Sequence, residues 1–220
     1  MAESLILATG FSVFPGAPEN PTAWAMDEIE RLGWQPSGAR LVTRTLPVKF
    51  DLWEREFSPL LAECKPDAVI AFGLSARATG ITLESTARNV VATDRPDFTG
   101  VCSLGACVND TGPEMLPTRL PLSAISKALR ARDIPMARSD SAGDYLCNLL
   151  FYRLMEQAGA GGARVAGFVH VPYLEVQARR LIAAGAIADG VFTLSEKQLL
   201  EAVQTIIEVC AAALKDTKVA

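Results

Sequence analysis

The sequence predicts an α/β protein: a three-layer α/β/α domain around a doubly wound, mostly parallel (mixed) sheet. Three observations point there. Over residues 5–72 apolar runs and amphipathic runs alternate as strand, helix, strand, helix, strand with short connections, the order that builds a parallel sheet covered on both faces. Half of the 220 residues are hydrophobic, enough to bury a sizeable single core. No internal repeat, low-complexity tract or linker divides the chain, so residues 1–220 read as one domain.

Residues 5–9 (LILAT) have the continuous apolar character of a buried strand, and the glycines and prolines of residues 10–19 mark the loop after it. Asn20-Pro21 opens a helix, Asn20 as cap and proline in the first turn, with Trp24, Ile29 and Leu32 as apolar positions before a stop at Gly33. Residues 40–46 form a second strand. Trp53, Phe57, Leu60 and Leu61 recur at helical spacing over residues 51–63, and residues 67–72 (DAVIAF) make a third, buried strand. In such a sheet the loops after the first and third strands share an edge, where ligands bind.

Residues 82–91 mix β-branched and polar side chains and read as one strand, antiparallel or near an edge. Residues 92–121 hold four prolines and three glycines without a sustained period and read as a long irregular excursion. A helix over residues 122–132, a short strand over 135–138 and a long helix from about Cys147 follow, ended by the glycines at 159–162. Residues 164–171 (RVAGFVHV) return as a strand, and residues 195–215 form a last amphipathic helix with an SEKQ start. A helix of about 12 residues spans roughly 18 Å and a strand of about seven returns roughly 23 Å, so Cys147 and His170 are expected on the same sheet edge.

Composition narrows the chemistry. A net charge of -4, from 21 basic and 25 acidic residues without long like-charge blocks, argues against nucleic acid or an anionic membrane as partner. The first ten residues carry an acid instead of a basic leader, and no run approaches the roughly 18 apolar residues of a membrane span, so a cytoplasmic protein is expected. The five cysteines contain no C-x-x-C pair, and with one histidine no multi-histidine metal site can be built; no metal and no cofactor is expected. No phosphate-binding glycine motif is present, which disfavours phosphorolysis.

The chemistry-bearing stretch is SDSAGDYLCN, residues 139–148. Small turn-forming residues precede an apolar-periodic helix, so Cys147 falls in an opening helical turn, where free N–H groups and the helix dipole favour a thiolate. A free cysteine, with a pKa of about 8.5, is only ~3% ionised at neutral pH, so the placement matters. A lone cysteine there also reads as one more small apolar residue; the histidine argues for the nucleophile. A thiol nucleophile needs a base and the base an orienting partner. His170 is the sole imidazole, and Glu84 is an acid within an otherwise apolar and β-branched run, either the orienting group or an exposed strand carboxylate.

These residues carry a resemblance. SDSAGDYLCN resembles the nucleophile motif of the pyroglutamyl peptidase I (pyrrolidone-carboxylate peptidase) family of cysteine peptidases, GLSARATGITLESTARN its glutamate motif, and GFVHVPYLEVQ its histidine strand. TGFSVFPGAPENPT is similar to the family's Thr-Gly-Phe-x-x-Phe loop, and the four motifs run in order from Thr9 to Gln177. The resemblance implies a Cys147–His170–Glu84 triad that cleaves after an N-terminal pyroglutamyl residue of peptides or small amides. It also implies that Phe11 and Phe14 line the lactam pocket, that Tyr145 and Leu146 give pocket wall and backbone contacts, and that the protein is a homo-oligomer such as a tetramer. The chain departs from the pattern at Ala78, where the family has an arginine and this chain places Arg77 one position earlier. It departs again at Ser85-Thr86 and at Pro15-Gly16. Two other readings of the residues are a related thiol hydrolase with a different amide or ester substrate, and a non-catalytic ligand-binding or thiol redox protein on the same fold.

Overall fold

Leu5, Ile6, Leu7 and Ala8 form a run too apolar to leave in water. The structure, a computed structural model that describes residues 3–13 and 19–216, buries all of β1 (Ser4–Phe11). α1 (Pro21–Arg31) begins where Asn20 Oδ1 accepts the Thr22 N–H at 3.0 Å, and leads to β2 (Ala39–Leu46), which pairs parallel with β1. A π-helical turn over Trp53–Phe57 passes into α2 (Ser58–Cys64), then β3 (Ala68–Leu74), β4 (Ile81–Glu84) and β5 (Thr86–Arg88). Beyond the excursion come β6 (Met115–Pro117), α3 (Leu122–Arg130), β7 (Met136–Ser139), α4 (Leu146–Gly159) and β8 (Val165–Val171). β9 (Tyr173–Leu174), α5 (Glu175–Ala183), β10 (Thr193–Leu194) and α6 (Glu196–Asp216) complete the chain.

The central sheet has the order β2-β1-β3-β8-β4-β7, with β5/β6 and β9/β10 as separate ribbons. β2, β1, β3 and β8 are parallel; β4 runs antiparallel to β8, and β7 follows β4. Ile6, Ala8 and Ile70 meet α1, α3 and α6 on one face, while Leu7, Val69 and Phe168 meet α2 and α4 on the other. Period-two alternation along each strand thus supplies both cores, each large apolar side chain stabilising the fold by roughly 1.5–3 kcal/mol on burial. The expected three layers and mixed sheet are present.

Several local expectations change. The single helix over 51–63 is two pieces, because Pro59 has no N–H to give the Arg55 carbonyl and the ladder must be re-formed around it. The single strand over 82–91 breaks at Ser85, whose N–H donates to Ser139 O at 2.7 Å and whose carbonyl accepts from Thr118 N at 2.9 Å, turning β5 out of the main sheet to pair with β6. Leu32 caps α1 half exposed and does not join the core. α5 and its short flanking strands had no reading in the sequence.

Candidate active site

The site is assembled at the end of α4 nearest the C-terminal ends of β3 and β8. Ser139 ends β7, its hydroxyl turning the chain through Ser141 N at 3.1 Å, and Gly143 takes a φ of +83° that a side chain would resist. Tyr145 is the extended residue before α4, and its carbonyl accepts the Leu149 N–H at 3.0 Å. Its side chain makes no capping bond, so the first N–H groups of α4, beside Cys147, take no partner from the cap residue's side chain. The Tyr145 hydroxyl donates instead to Pro96 O at 2.7 Å.

β8 carries His170 opposite Gly73 of β3 and Thr82 of β4. Gly73 is required by proximity: a Cβ there would stand 2.7 Å from Phe168 Cζ and 3.0 Å from Cys147 Sγ. His170 is 7% exposed and Glu84 2%. The imidazole Nδ1 bonds Glu84 Oε1 at 2.8 Å, which leaves Nε2 for the Cys147 thiol. Burial pulls the imidazole toward neutrality, but its hydrogen bonds to Cys147 and Glu84, reinforced by their charges, prevail and raise its pKa from 6.5 to about 9. Glu84 Oε2 is buried without a hydrogen-bond partner among the described residues, so no bond at that oxygen competes with the imidazolium for the carboxylate charge. Imidazole and carboxylate are hydrogen-bonded and share one cavity wall with the thiol, an arrangement able to generate a nucleophile and return its proton to a leaving group.

The three side chains lie on the wall of a cavity of about 640 Å³, shared with Arg77, Arg95 and Tyr145. Arg95 stacks 5.1 Å over the Tyr145 ring and pairs with Asp144, whereas Arg77 is exposed and has no ion-pair partner among the described residues. Phe11 lies behind the base, 4% exposed, its ring 6.4 Å from that of Phe168, which meets His170 edge-on at 5.0 Å. It therefore backs the base through Phe168 and is not among the described residues that line this cavity. Leu146 is 1% exposed in the α4 core, so its main chain alone is available to a ligand. Phe14 lies outside the described residues. Among the described residues no cluster of three or more His, Cys, Asp or Glu side chains could hold a metal ion.

Arg95 and Asp97 had no signal in the sequence, because both belong to the aperiodic excursion. Asp97 is nearly buried. Burial opposes its ionisation, but the Thr99 hydroxyl and the N–H groups of Phe50, Thr99 and Val101 hold its carboxyl below the usual range. That knot carries Pro96, the acceptor for Tyr145, and so fixes the cavity wall beside the thiol.

A model of the pyroglutamyl peptidase family matches residues 4–213. The chain belongs to that family. The family is one of cysteine peptidases, and relatives agree along most of the sequence. Pyrrolidone-carboxylate peptidase of Thermococcus onnurineus is 38% identical over 175 residues, 79% of this chain and 86% of that protein. The Pyrococcus furiosus enzyme of that name is 34% identical over 205 residues, 93% of this chain and 96% of the other. The X-ray structure of pyrrolidone carboxyl peptidase from Pyrococcus furiosus superimposes with a TM-score of 0.87 at 32% identity, covering 96% of this chain and 99% of that one. The pyroglutamyl peptidase fold thus extends over the whole described sheet and both helical layers.

Proposed function

We propose that this chain is an omega-peptidase that removes N-terminal pyroglutamate from peptides or small amides. The observation that carries the reading is the Cys147–His170–Glu84 series on the cavity wall of a pyroglutamyl peptidase family member. The Cys147 thiolate attacks the carbonyl carbon that joins pyroglutamate to the next residue, and the N–H groups at the start of α4 stabilise the oxyanion. His170, already protonated, gives its proton to the departing amine as the C–N bond breaks, leaving a thioester. Water, deprotonated by His170, then attacks the thioester; pyroglutamate leaves and the thiol is restored. Glu84 fixes the ring orientation and stabilises the imidazolium throughout.

The cavity charge supports a neutral N-terminus. The cavity's carboxylates are already engaged, Glu84 by His170 and Asp144 by Arg95, so a substrate with a free α-ammonium loses hydration without gaining an ion pair, a cost that the lactam does not incur. Tyr145 supplies wall and α4 supplies main-chain contacts. The same reading holds the protein to be a homo-oligomer in the cytoplasm. Exposed Phe98, Val101 and Leu104 on the excursion favour association, and five free cysteines suit a reducing compartment.

The test is release of a fluorescent amine from an L-pyroglutamyl amide in reductant. Wild type is expected to turn over, and Cys147→Ala and His170→Ala to lose at least about a thousandfold in kcat/KM. Normal turnover by folded Cys147→Ala, or a faster reaction with unblocked aminoacyl amides, overturns the proposal.

A further inference from the structure

Cys147 is held on both sides by one residue of the segment that carries the acid. Immediately after it, Asn148 is fully buried at 0% exposure. Its Oδ1 accepts the Arg88 N–H at 3.0 Å, and its Nδ2 donates to the carbonyls of Arg88 and Val90, both at 2.8 Å. Ahead of the nucleophile, the Arg88 guanidinium reaches Asp140, Nε donating to the main-chain oxygen at 3.0 Å and Nη2 pairing with Oδ2 at 3.1 Å. Arg88 closes β5, the strand that leaves Glu84 after a single intervening residue.

We propose that Arg88 and Asn148 form a clamp that sets the distance between the nucleophile and the Glu84–His170 pair. Asn148 grips the main chain of β5 from inside, and the Arg88 side chain holds the loop before Cys147 from outside. Both are positioning residues, acting through Cys147. The register matters because β5 pairs with β6 along one edge, and Asn148 is what bonds the main chain of its other edge to the helix of the nucleophile. A purely structural asparagine would satisfy the same main-chain groups, yet would leave the thiol–imidazole pair unmoved when changed in a protein that still folds. The clamp predicts that the pair moves.

The inference rests on the thiol-peptidase reading for its rate measurement but not for its second measurement, the pH profile of Cys147 alkylation by iodoacetamide, followed by peptide mapping without substrate. Asn148→Asp keeps the shape and turns both donors into acceptors facing carbonyls. It is expected to lower kcat on an L-pyroglutamyl amide about a hundredfold with KM within about threefold, and to displace the alkylation profile. Arg88→Ala and Asp140→Ala remove an exposed contact, so they keep the test open should Asn148→Asp fail to fold. Arg88→Ala, which removes both bonds, is expected to lower kcat about three- to tenfold, Asp140→Ala, which keeps the bond to its main-chain oxygen, by no more than that, and the double variant no further than Arg88→Ala. An alkylation profile and kcat unchanged in folded Arg88→Ala or Asn148→Asp, or losses that add fully in the double variant, would overturn the clamp. If wild type fails to cleave the amide while Asn148→Asp still displaces the alkylation profile, the substrate reading falls and the clamp stands.

Discussion

Glu84→Gln tests the electrostatics of the site directly, because the chain has a single histidine and its imidazole gives one resolvable NMR titration. The carboxylate lies 2.8 Å from His170 Nδ1 at 2% exposure, with its second oxygen unpartnered among the described residues. A hydrogen bond to a charged group contributes roughly 1.5–3 kcal/mol. At about 1.36 kcal/mol per pH unit, that is about one to two units in the imidazole titration and about ten- to 150-fold in rate. The sign follows from the charge: loss of the anion disfavours the imidazolium, so the titration moves down from its wild-type position of about 9. The alkaline limb of kcat/KM should move to lower pH by the same amount, since proton delivery to the leaving amine needs the charged ring. The assay pairs a carbon–proton correlation of the imidazole across pH 5–11 with the pH–rate profile of amide cleavage. A variant whose histidine titrates within about 0.3 unit of wild type, and whose kcat/KM falls less than about threefold, would refute the assignment of Glu84 as a group that, with Cys147, holds the base charged.

Gly73→Ala should lower kcat at least about tenfold and destabilise by about 1–3 kcal/mol, because its methyl group would stand 2.7 Å from Phe168 Cζ and 3.0 Å from Cys147 Sγ; denaturant melts beside initial rates check it. Cys210 should stay unmodified while Cys147 is fully alkylated at pH 8, since burial pushes the Cys210 thiol up to about 12; mass mapping of native protein decides. A folded-state pKa of about 9 for His170, against 6.5 unfolded, makes its contribution to stability complete below about pH 6.5 and lost as pH rises through about 9. That contribution is on the order of 3 kcal/mol, so Tm of wild type should fall more steeply from pH 7 to 10 than Tm of His170→Gln, and parallel slopes would contradict it.

What the sequence made legible follows from the range over which each signal acts. β1, β3 and β8 are continuous apolar runs, and a run buried on both faces has few alternatives. Cys147 was visible because a turn of small residues before a periodic helix is a local signal, and His170 because it is the only imidazole. The break at Ser85 was not visible, since it depends on Ser139 and Thr118, partners distant in the chain. α5 escaped notice because only Gln177, Ala178 and Leu181 of its nine residues are buried, too few to set a period. The cavity wall was the least legible part: Arg77 and Arg95 come from loops, where position is fixed by tertiary contacts such as the Asp97 knot. Phe11 shows the converse, a motif residue whose aromatic ring reaches the base through Phe168.

The strand order explains why the acid can act on the histidine at all. β4 runs against β8, with Thr82 beside His170 and Leu83 beside Val169. Ile81 and Leu83 enter the core with α1 and α6, so Thr82 and Glu84 face α4 and the nucleophile, as Phe168 and His170 do. Going from Thr82 to Glu84 along an antiparallel strand moves back from the C-terminal edge, beneath the imidazole, where Glu84 is 2% exposed. Along a parallel strand in the same place, the same two residues would carry the carboxylate outward to the cavity mouth. There water would solvate it, and its hold on the imidazolium would fall toward the small value of exposed ion pairs. The one reversed strand pair beside β8 is thus what places a buried anion under the base, where with Cys147 it keeps His170 charged well above its ordinary range.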